Sequence, residues 1–284
     1  MANYWKKLIV KPGSKIRLKH FDPGYHGKHE SHKLALAEIQ DNLQKMDRLQ
    51  YLMYAENKHS LLIVLQGLDA AGKDGVVRHV LTGMNPEGCI SSNFKEPTKE
   101  ELAHDFLWRV HPHVPAKGSV AIFNRSHYED VLVVRVHGLA PKKDWSKRYD
   151  QINDFERLIT TENGTTILKF FLHISKEEQL ARFKKRLDDP ERQWKISDSD
   201  YKERDYWGDY IEAFEEVFDK TSTGHAPWFI IPSNHKWFRD LAISQIIVRQ
   251  MEEMDMHVPK PTVDLGEIRR AYHQAKDGKK SKRR

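Results

Sequence analysis

Short runs of consecutive apolar residues divide the chain: Leu61 to Leu65, Val120 to Phe123, Ile167 to Ile174 and Trp228 to Ile231, with a weaker run from Cys89 to Phe94. Runs of this length without polar alternation predict strands covered on both faces, as in a parallel sheet. Between them the apolar residues recur at helical spacing, predicting helices over Thr98 to His111, Ser146 to Thr161, Lys176 to Leu187, Tyr206 to Thr221 and Trp237 to Met254. Ahead of the first strand, Leu34, Ala37, Leu43, Met46, Leu49, Leu52 and Met53 mark a long amphipathic helix from Ser31 to about Ala55, with Ser31 as its cap. Strands alternating with helices define an α/β fold with a parallel sheet covered on both faces. Residues 1–30, rich in Lys, His, Gly and Pro, read as an extended arm.

Composition narrows the setting. The 284 residues suit one large domain, and 39% hydrophobic with 31% charged residues exclude a wholly disordered chain. Cys89 is the only cysteine, so no intrachain disulfide forms. No apolar run reaches membrane-span length and Met1 to Lys7 lacks a signal-like stretch, so the expected location is cytoplasmic, with no membrane partner. A net charge of +6 favours polyanions, although part of the excess lies in residues 276–284, a basic tail expected to be disordered.

The chemistry concentrates after the first strand. Gly67-Leu68-Asp69-Ala70-Ala71-Gly72-Lys73 matches the spacing G-x-x-x-x-G-K between a buried strand and a helix. Small residues let successive backbone N–H groups converge on phosphate oxygens, the helix start adds positive potential, and Lys73 adds a full charge. Gly67, Ala70, Ala71, Gly72 and Lys73, with Asp74 after them, are the candidate phosphate contacts. Asp74 replaces the hydroxyl residue that ordinarily ligates magnesium, and Asp69 puts a carboxylate inside an anion site, where it needs a metal or an orienting task.

At the end of the Val120 to Phe123 run stands Asn124-Arg125-Ser126-His127-Tyr128-Glu129-Asp130. Strand ends of this kind line the crevice of open α/β sheets. Arg125 is suited to neutralising phosphate charge and Glu129 to accepting hydrogen bonds from a nucleotide, while Asn124 stands where a carboxylate usually holds magnesium. Downstream, Arg182, Lys185 and Arg186 share one helical face, a stripe similar to the lid that closes over the transferred group in small kinases. The aromatic stretch Tyr201 to Phe218 reads as packing, and the sixteen histidines show no zinc-ligand spacing.

Together, Gly67-Leu-Asp-Ala-Ala-Gly-Lys-Asp-Gly75, Asn124-Arg-Ser-His-Tyr-Glu-Asp130 and Thr221-Ser-Thr-Gly-His-Ala-Pro-Trp228 with Ile231-Pro232 resemble the polyphosphate kinase 2 family, over about residues 30 to 255. The resemblance implies a three-layer α/β/α P-loop kinase fold, thymidylate-kinase-like, over residues 31–255, with a helical lid at about 181–205 and a C-terminal extension from 256. It implies phosphoryl transfer between inorganic polyphosphate and a nucleotide, dependent on Mg2+ with Mn2+ as a substitute, and a homo-oligomer, dimer or tetramer. Asn124 and Glu129 resemble the subgroup that accepts AMP as well as ADP, with guanine nucleotides as further candidates and no nucleic acid expected.

Carried over residue by residue, the resemblance makes Asp69, Lys73, Arg125 and Asp130 the reaction centre. Asp69 becomes the metal residue, with Asp130 as a second candidate. Asn124, Arg125 and Glu129 become nucleotide contacts, and Arg182, Lys185 and Arg186 polyphosphate contacts. Two alternatives stand beside this reading: an ATP-dependent nucleoside monophosphate kinase, and a non-enzymatic polyanion- or RNA-binding protein.

Overall fold

The computed structural model describes residues 3–27 and 31–281, with side chains described to residue 276. In chain order the elements are α1 (Tyr4–Leu8), α2 (His32–Glu56), β1 (Ser60–Gln66), α3 (Lys73–His79), β2 (Cys89–Asn93), α4 (Lys99–Leu102), β3 (Val120–Asn124), α5 (Val133–Val136), α6 (Lys142–Trp145), α7 (Arg148–Asn163) and β4 (Thr165–His173). After them come α8 (Lys176–Asp188), α9 (Asp198–Glu203), α10 (Trp207–Thr221), β5 (Trp228–Pro232), α11 (Lys236–Glu252) and α12 (Leu265–Ser281).

The strands form one parallel sheet in the order β2-β3-β1-β4-β5. Every residue of β1, β3 and β5 is buried, which is why these segments carry no polar alternation. On β4, Lys169 and Phe171 face α7 and α10: Lys169 reaches Glu156, and Phe171 packs on Phe214 with ring centroids 4.3 Å apart. The pleat sends the intervening residues of β4 to the opposite face, where α11 packs on β4 and β5 and α2 runs along α11. A buried hydrogen bond from Asn42 Nδ2 to Ser244 Oγ, 3.1 Å, ties α2 to α11. Because β1 is central, the loop that follows it opens where the sheet's carboxyl ends converge, with β3 on one side and β4 on the other.

The structure corrects three expectations. The residues read as an extended arm carry α1 and are packed: Tyr4, Leu8, Val10, Ile16 and Leu18 are buried, Ile9 bridges to Phe229, and the Val10 amide donates to the Trp228 carbonyl at 2.8 Å. Residues 1–2 and 28–30 of that segment lie outside the described residues. The helix expected from Thr98 to His111 is a single turn, α4, closed by a capping box between Thr98 and Glu101. It stops because the Asp105 carboxylate takes the Leu107 amide at 3.0 Å, a local bond that competes with helix continuation. The tail expected to be disordered from Lys276 is helical to Ser281 in α12, and residues 282–284 are not described. Ser31 caps α2 as expected, its side chain accepting from the Leu34 amide.

Candidate active site

Between β1 and α3 the chain turns through backbone conformations that favour small residues: Gly67, Ala70 and Gly72 all have positive φ, at 154°, 59° and 111°. At Gly72 the space decides as well as the torsion, since a Cβ there would lie 2.0 Å from Nη1 of Arg239. Lys73 opens α3 and folds back, its Nζ donating to the Gly67 carbonyl at 2.6 Å and to the Leu68 carbonyl at 3.4 Å. Burial pushes its pKa below the ordinary lysine value, with Asp69 acting in the opposite direction. Lys73 is thus a largely desolvated cation held at an anion cradle.

Arg125, directly after β3, also adopts positive φ at 63°, a strained conformation for a non-glycine residue. Its amide is held by the Leu65 carbonyl at 3.1 Å, and its guanidinium reaches Asp69 Oδ1 at 3.4 Å. The strain aims Arg125 across the mouth of the loop. Asp69, Lys73, Arg125 and Glu129 share one cavity of about 260 Å³. Burial raises the Glu129 carboxyl above the usual range, opposed by Arg125 and Lys73. The far wall of the cavity is apolar and aromatic, built from Leu132, Val133, Trp207, Tyr210 and Phe214. Over it, Glu203 of α9 accepts from Tyr210 at 3.0 Å and pairs with His137 at 3.1 Å, drawing the segment after α8 toward α5.

The structure separates other predicted residues from this cavity. Asp130 turns toward Arg148, whose Nη1 binds its carboxylate at 3.0 Å and its carbonyl at 2.9 Å. Asn124 donates from Nδ2 to Asp74 Oδ1 at 2.9 Å. Arg182, expected as a lid contact for polyphosphate, is instead 6% exposed. Its Nη1 donates to the carbonyls of Ala70 and Ala71 at 2.8 and 3.0 Å, and its Nη2 to those of Ser233 and Asn234. Glu178 neutralises it at 2.9 Å. Arg182 therefore clamps the loop to the β5–α11 connection from behind, because Cα positions on that face of α8 point at backbone and not at solvent. Lys185 and Arg186 remain on the open side of α8, Lys185 exposed and Arg186 half-buried beside Phe183.

Burial raises the Asp130 carboxyl to about 6, with Arg148 and Arg109 opposing the rise. A folded value above the unfolded carboxylate range of about 3.9 means that the charged form opposes folding above about pH 6, a cost relieved as pH falls. Asp130→Asn is expected to raise the melting temperature relative to the wild type at about pH 8. That advantage should shrink as pH falls through about 6 toward about 4, where both side chains are neutral; a difference constant with pH in thermal melts overturns it.

Two groups escaped the sequence reading. Lys236 and Arg239 lie in the first turn of α11, one turn past the end of β5, and their i, i+3 spacing after a strand end was the available signal. Arg239 is 1% exposed, held by Asp240 at 2.7 Å against the loop glycines. Burial, together with Arg182, Arg239, Arg192 and Lys185, pushes the Lys236 ammonium below its ordinary pKa, the mark of a convergent basic surface beside the loop. The second group lies beneath the Asn124 to Asp130 turn and is wholly buried. Lys169 donates to Glu156 at 2.6 Å, to the Tyr128 hydroxyl at 2.9 Å and to the Thr221 carbonyl at 2.7 Å. Tyr128 and His127 both reach Glu156 Oε1, at 2.9 and 3.3 Å. A lysine within an apolar strand run was the legible sign of this network.

A buried parallel strand, a loop turning through positive φ at Gly67, Ala70 and Gly72, a partly buried lysine folded back onto it and a helix opening on the loop define this protein as a P-loop kinase. The family follows from its relatives: the family model for polyphosphate kinase 2 matches residues 27–259, and the chain belongs to that family. It is 49% identical over 257 residues to the AMP/ADP-polyphosphate phosphotransferase of Meiothermus ruber, covering 90% of this chain and 96% of that one. It is 42% identical to the ADP-polyphosphate phosphotransferase of Rhodopseudomonas palustris, covering 90% and 93%. The crystal structure of polyphosphate kinase 2 from Arthrobacter aurescens TC1 superposes with a TM-score of 0.92 at 41% identity, covering 96% of this chain and 97% of that one. Among the described residues no helix is long and apolar enough to cross a membrane.

Proposed function

We propose that this chain is a cytoplasmic enzyme that transfers the terminal phosphoryl group of inorganic polyphosphate to AMP and to ADP. The observation that carries the reading is the cavity in which Asp69, Lys73, Arg125 and Glu129 meet at one end and an aromatic wall stands at the other. Such a cavity suits a nucleotide, whose phosphate is charged and whose base is flat and apolar. Lys236, Arg192 and Lys185 give the polymer a basic surface on the neighbouring side of the loop.

In this reading the loop amides and Lys73 hold the transferred group, and Arg125 neutralises the equatorial oxygens as charge spreads over them. Glu129 accepts from the nucleotide. Arg182 and Arg239 keep the loop's carbonyls and glycines in place behind it. No residue need form a covalent intermediate, since positioning and charge neutralisation suffice for in-line transfer. Among the described residues no cluster of three or more His, Cys, Asp or Glu side chains forms a metal cage. The acids Asp69, within the loop, and Asp74, just after it, are each suited to a hard cation that takes its remaining oxygen ligands from substrate phosphates and water. Mg2+, or Mn2+ in its place, would supply charge neutralisation between donor and acceptor when bound.

The test is luminescent detection of ATP from purified protein, Mg2+, long-chain polyphosphate and either AMP or ADP. ATP from both acceptors is the expected result. ATP from ADP alone removes AMP from the substrate range, and turnover with ATP plus a monophosphate but not with polyphosphate replaces the proposal with an ATP-dependent kinase.

A further inference from the structure

Two departures from the ordinary phosphate loop meet in a single hydrogen bond. In the usual arrangement, the residue after the loop lysine is Ser or Thr and the adjacent strand ends in Asp, and the two hold the metal together. Here the position after Lys73 is Asp74 and the strand end is Asn124, and Asn124 Nδ2 donates to Asp74 Oδ1 at 2.9 Å. Each position taken alone looks like a loss of metal-binding capacity. Taken together they keep one acid and one neutral partner in contact, with the acid on the opposite side of the contact.

The surroundings agree with this arrangement. Asn124 is 9% exposed at the end of β3, opposite Leu65 in the register with β1, so the strand fixes its carboxamide next to the loop. With its NH2 group on Oδ1, the amide leaves Asp74 Oδ2 open. Asp74 is exposed in the first turn of α3 and takes no helix-capping hydrogen bond, so its carboxylate is not spent on satisfying the helix start. Asn at position 124 also explains why two carboxylates do not face each other there. An Asp in its place would set two like charges at hydrogen-bond distance unless a cation lay between them.

Resting on the phosphotransferase reading above, we propose that Asp74, on the helix side of the contact, is a metal acid of this enzyme, held in place by the strand-end Asn124, so that the carboxylate and the neutral partner of the usual pair have exchanged positions. Asp74 supplies its carboxylate from the first turn of α3, beyond the loop acid Asp69. A divalent cation that takes one or two protein carboxylates, with phosphate or water oxygens elsewhere, is ordinary magnesium chemistry.

The test reads metal binding directly, by electron paramagnetic resonance of added Mn2+, and also the Mg2+ dependence of turnover in wild type, Asp74→Asn, Asn124→Asp and the double variant Asp74→Ser/Asn124→Asp. Asp74→Asn should lower Mn2+ affinity about tenfold or more and raise the Mg2+ needed for half-maximal rate. Asn124→Asp should bind Mn2+ more tightly than wild type and melt lower without metal. The double variant, which restores the common arrangement, should recover Mn2+ affinity to within a few-fold of wild type. Equal Mn2+ occupancy in wild type and Asp74→Asn, whether high or nil, overturns the proposal, as does a double variant no better than Asp74→Asn. Metal-free melting curves identify any variant that has failed to fold. Loss of polyphosphate turnover by the wild type itself would instead remove the functional reading, and Mn2+ occupancy is measured without turnover.

Discussion

Lys73→Ala is expected to lower turnover at least about a hundredfold, the scale of losing one preorganised donor to a transition state. The size of the effect follows from where the ammonium lies. It is partly buried, desolvation lowers its pKa, and its hydrogen bonds go to the carbonyls of Gly67 and Leu68 in the loop itself. A desolvated cation held by neutral dipoles gains most from a phosphoryl group on which negative charge is developing, because little water competes for either partner. Since α3 begins at Lys73 and Arg182 clamps the loop from behind, truncating the side chain should leave the loop in place. Steady-state rates at saturating polyphosphate and nucleotide, alongside circular dichroism, check both halves. Near-normal turnover in a folded variant would remove Lys73 from the reaction centre.

The largest stability effect is expected at Lys169. Lys169→Met leaves the Glu156 carboxylate buried with the Tyr128 and His127 contacts but without its cation, and breaking a buried ion pair in this way costs about 3–5 kcal/mol. For a domain of this size that corresponds to a fall of roughly 10 °C in melting temperature. Glu156→Gln together with Lys169→Met should regain much of the loss, because the charges are then removed together. The double variant should still turn over more slowly, since the network holds His127 and Tyr128, between Arg125 and Glu129 in the strand-end turn. Melting curves of the single and double variants decide the matter. Equal destabilisation would mean that packing of the long side chain, and not its charge, is what β4 requires.

These two residues mark how far the sequence alone could be read. Lys73 was legible because a phosphate loop imposes a spacing, and the buried strands were legible because a parallel sheet tolerates no exposed face. Both signals are local. Lys169 is part of a contact among β4, α7 and the Asn124 to Asp130 turn, and no local pattern pairs it with Glu156. The same applies to Arg182, whose helical spacing with Lys185 and Arg186 suggested a shared role at the lid. A helix face is wide enough to turn one arginine inward to backbone carbonyls and leave its neighbours outside. The packed segment before Ser31 was misread for a related reason. Its apolar residues Tyr4, Leu8, Val10, Ile16 and Leu18 are too sparse for a regular period, and they are buried by partners such as Phe238 and Trp228 from the other end of the chain.

That last contact bears on how the protein is made. Ile9 closes the β5 edge of the sheet through its bridge to Phe229, so a segment that precedes all five strands completes its pairing only when the last of them has formed. Until then residues 3–27 have no sheet edge to dock on, and the apolar β4 and β5 surfaces that they help to cover wait uncovered in turn. Closure of the sheet at this edge is therefore a slow, non-local step, and until it is complete the uncovered apolar surface is open to aggregation.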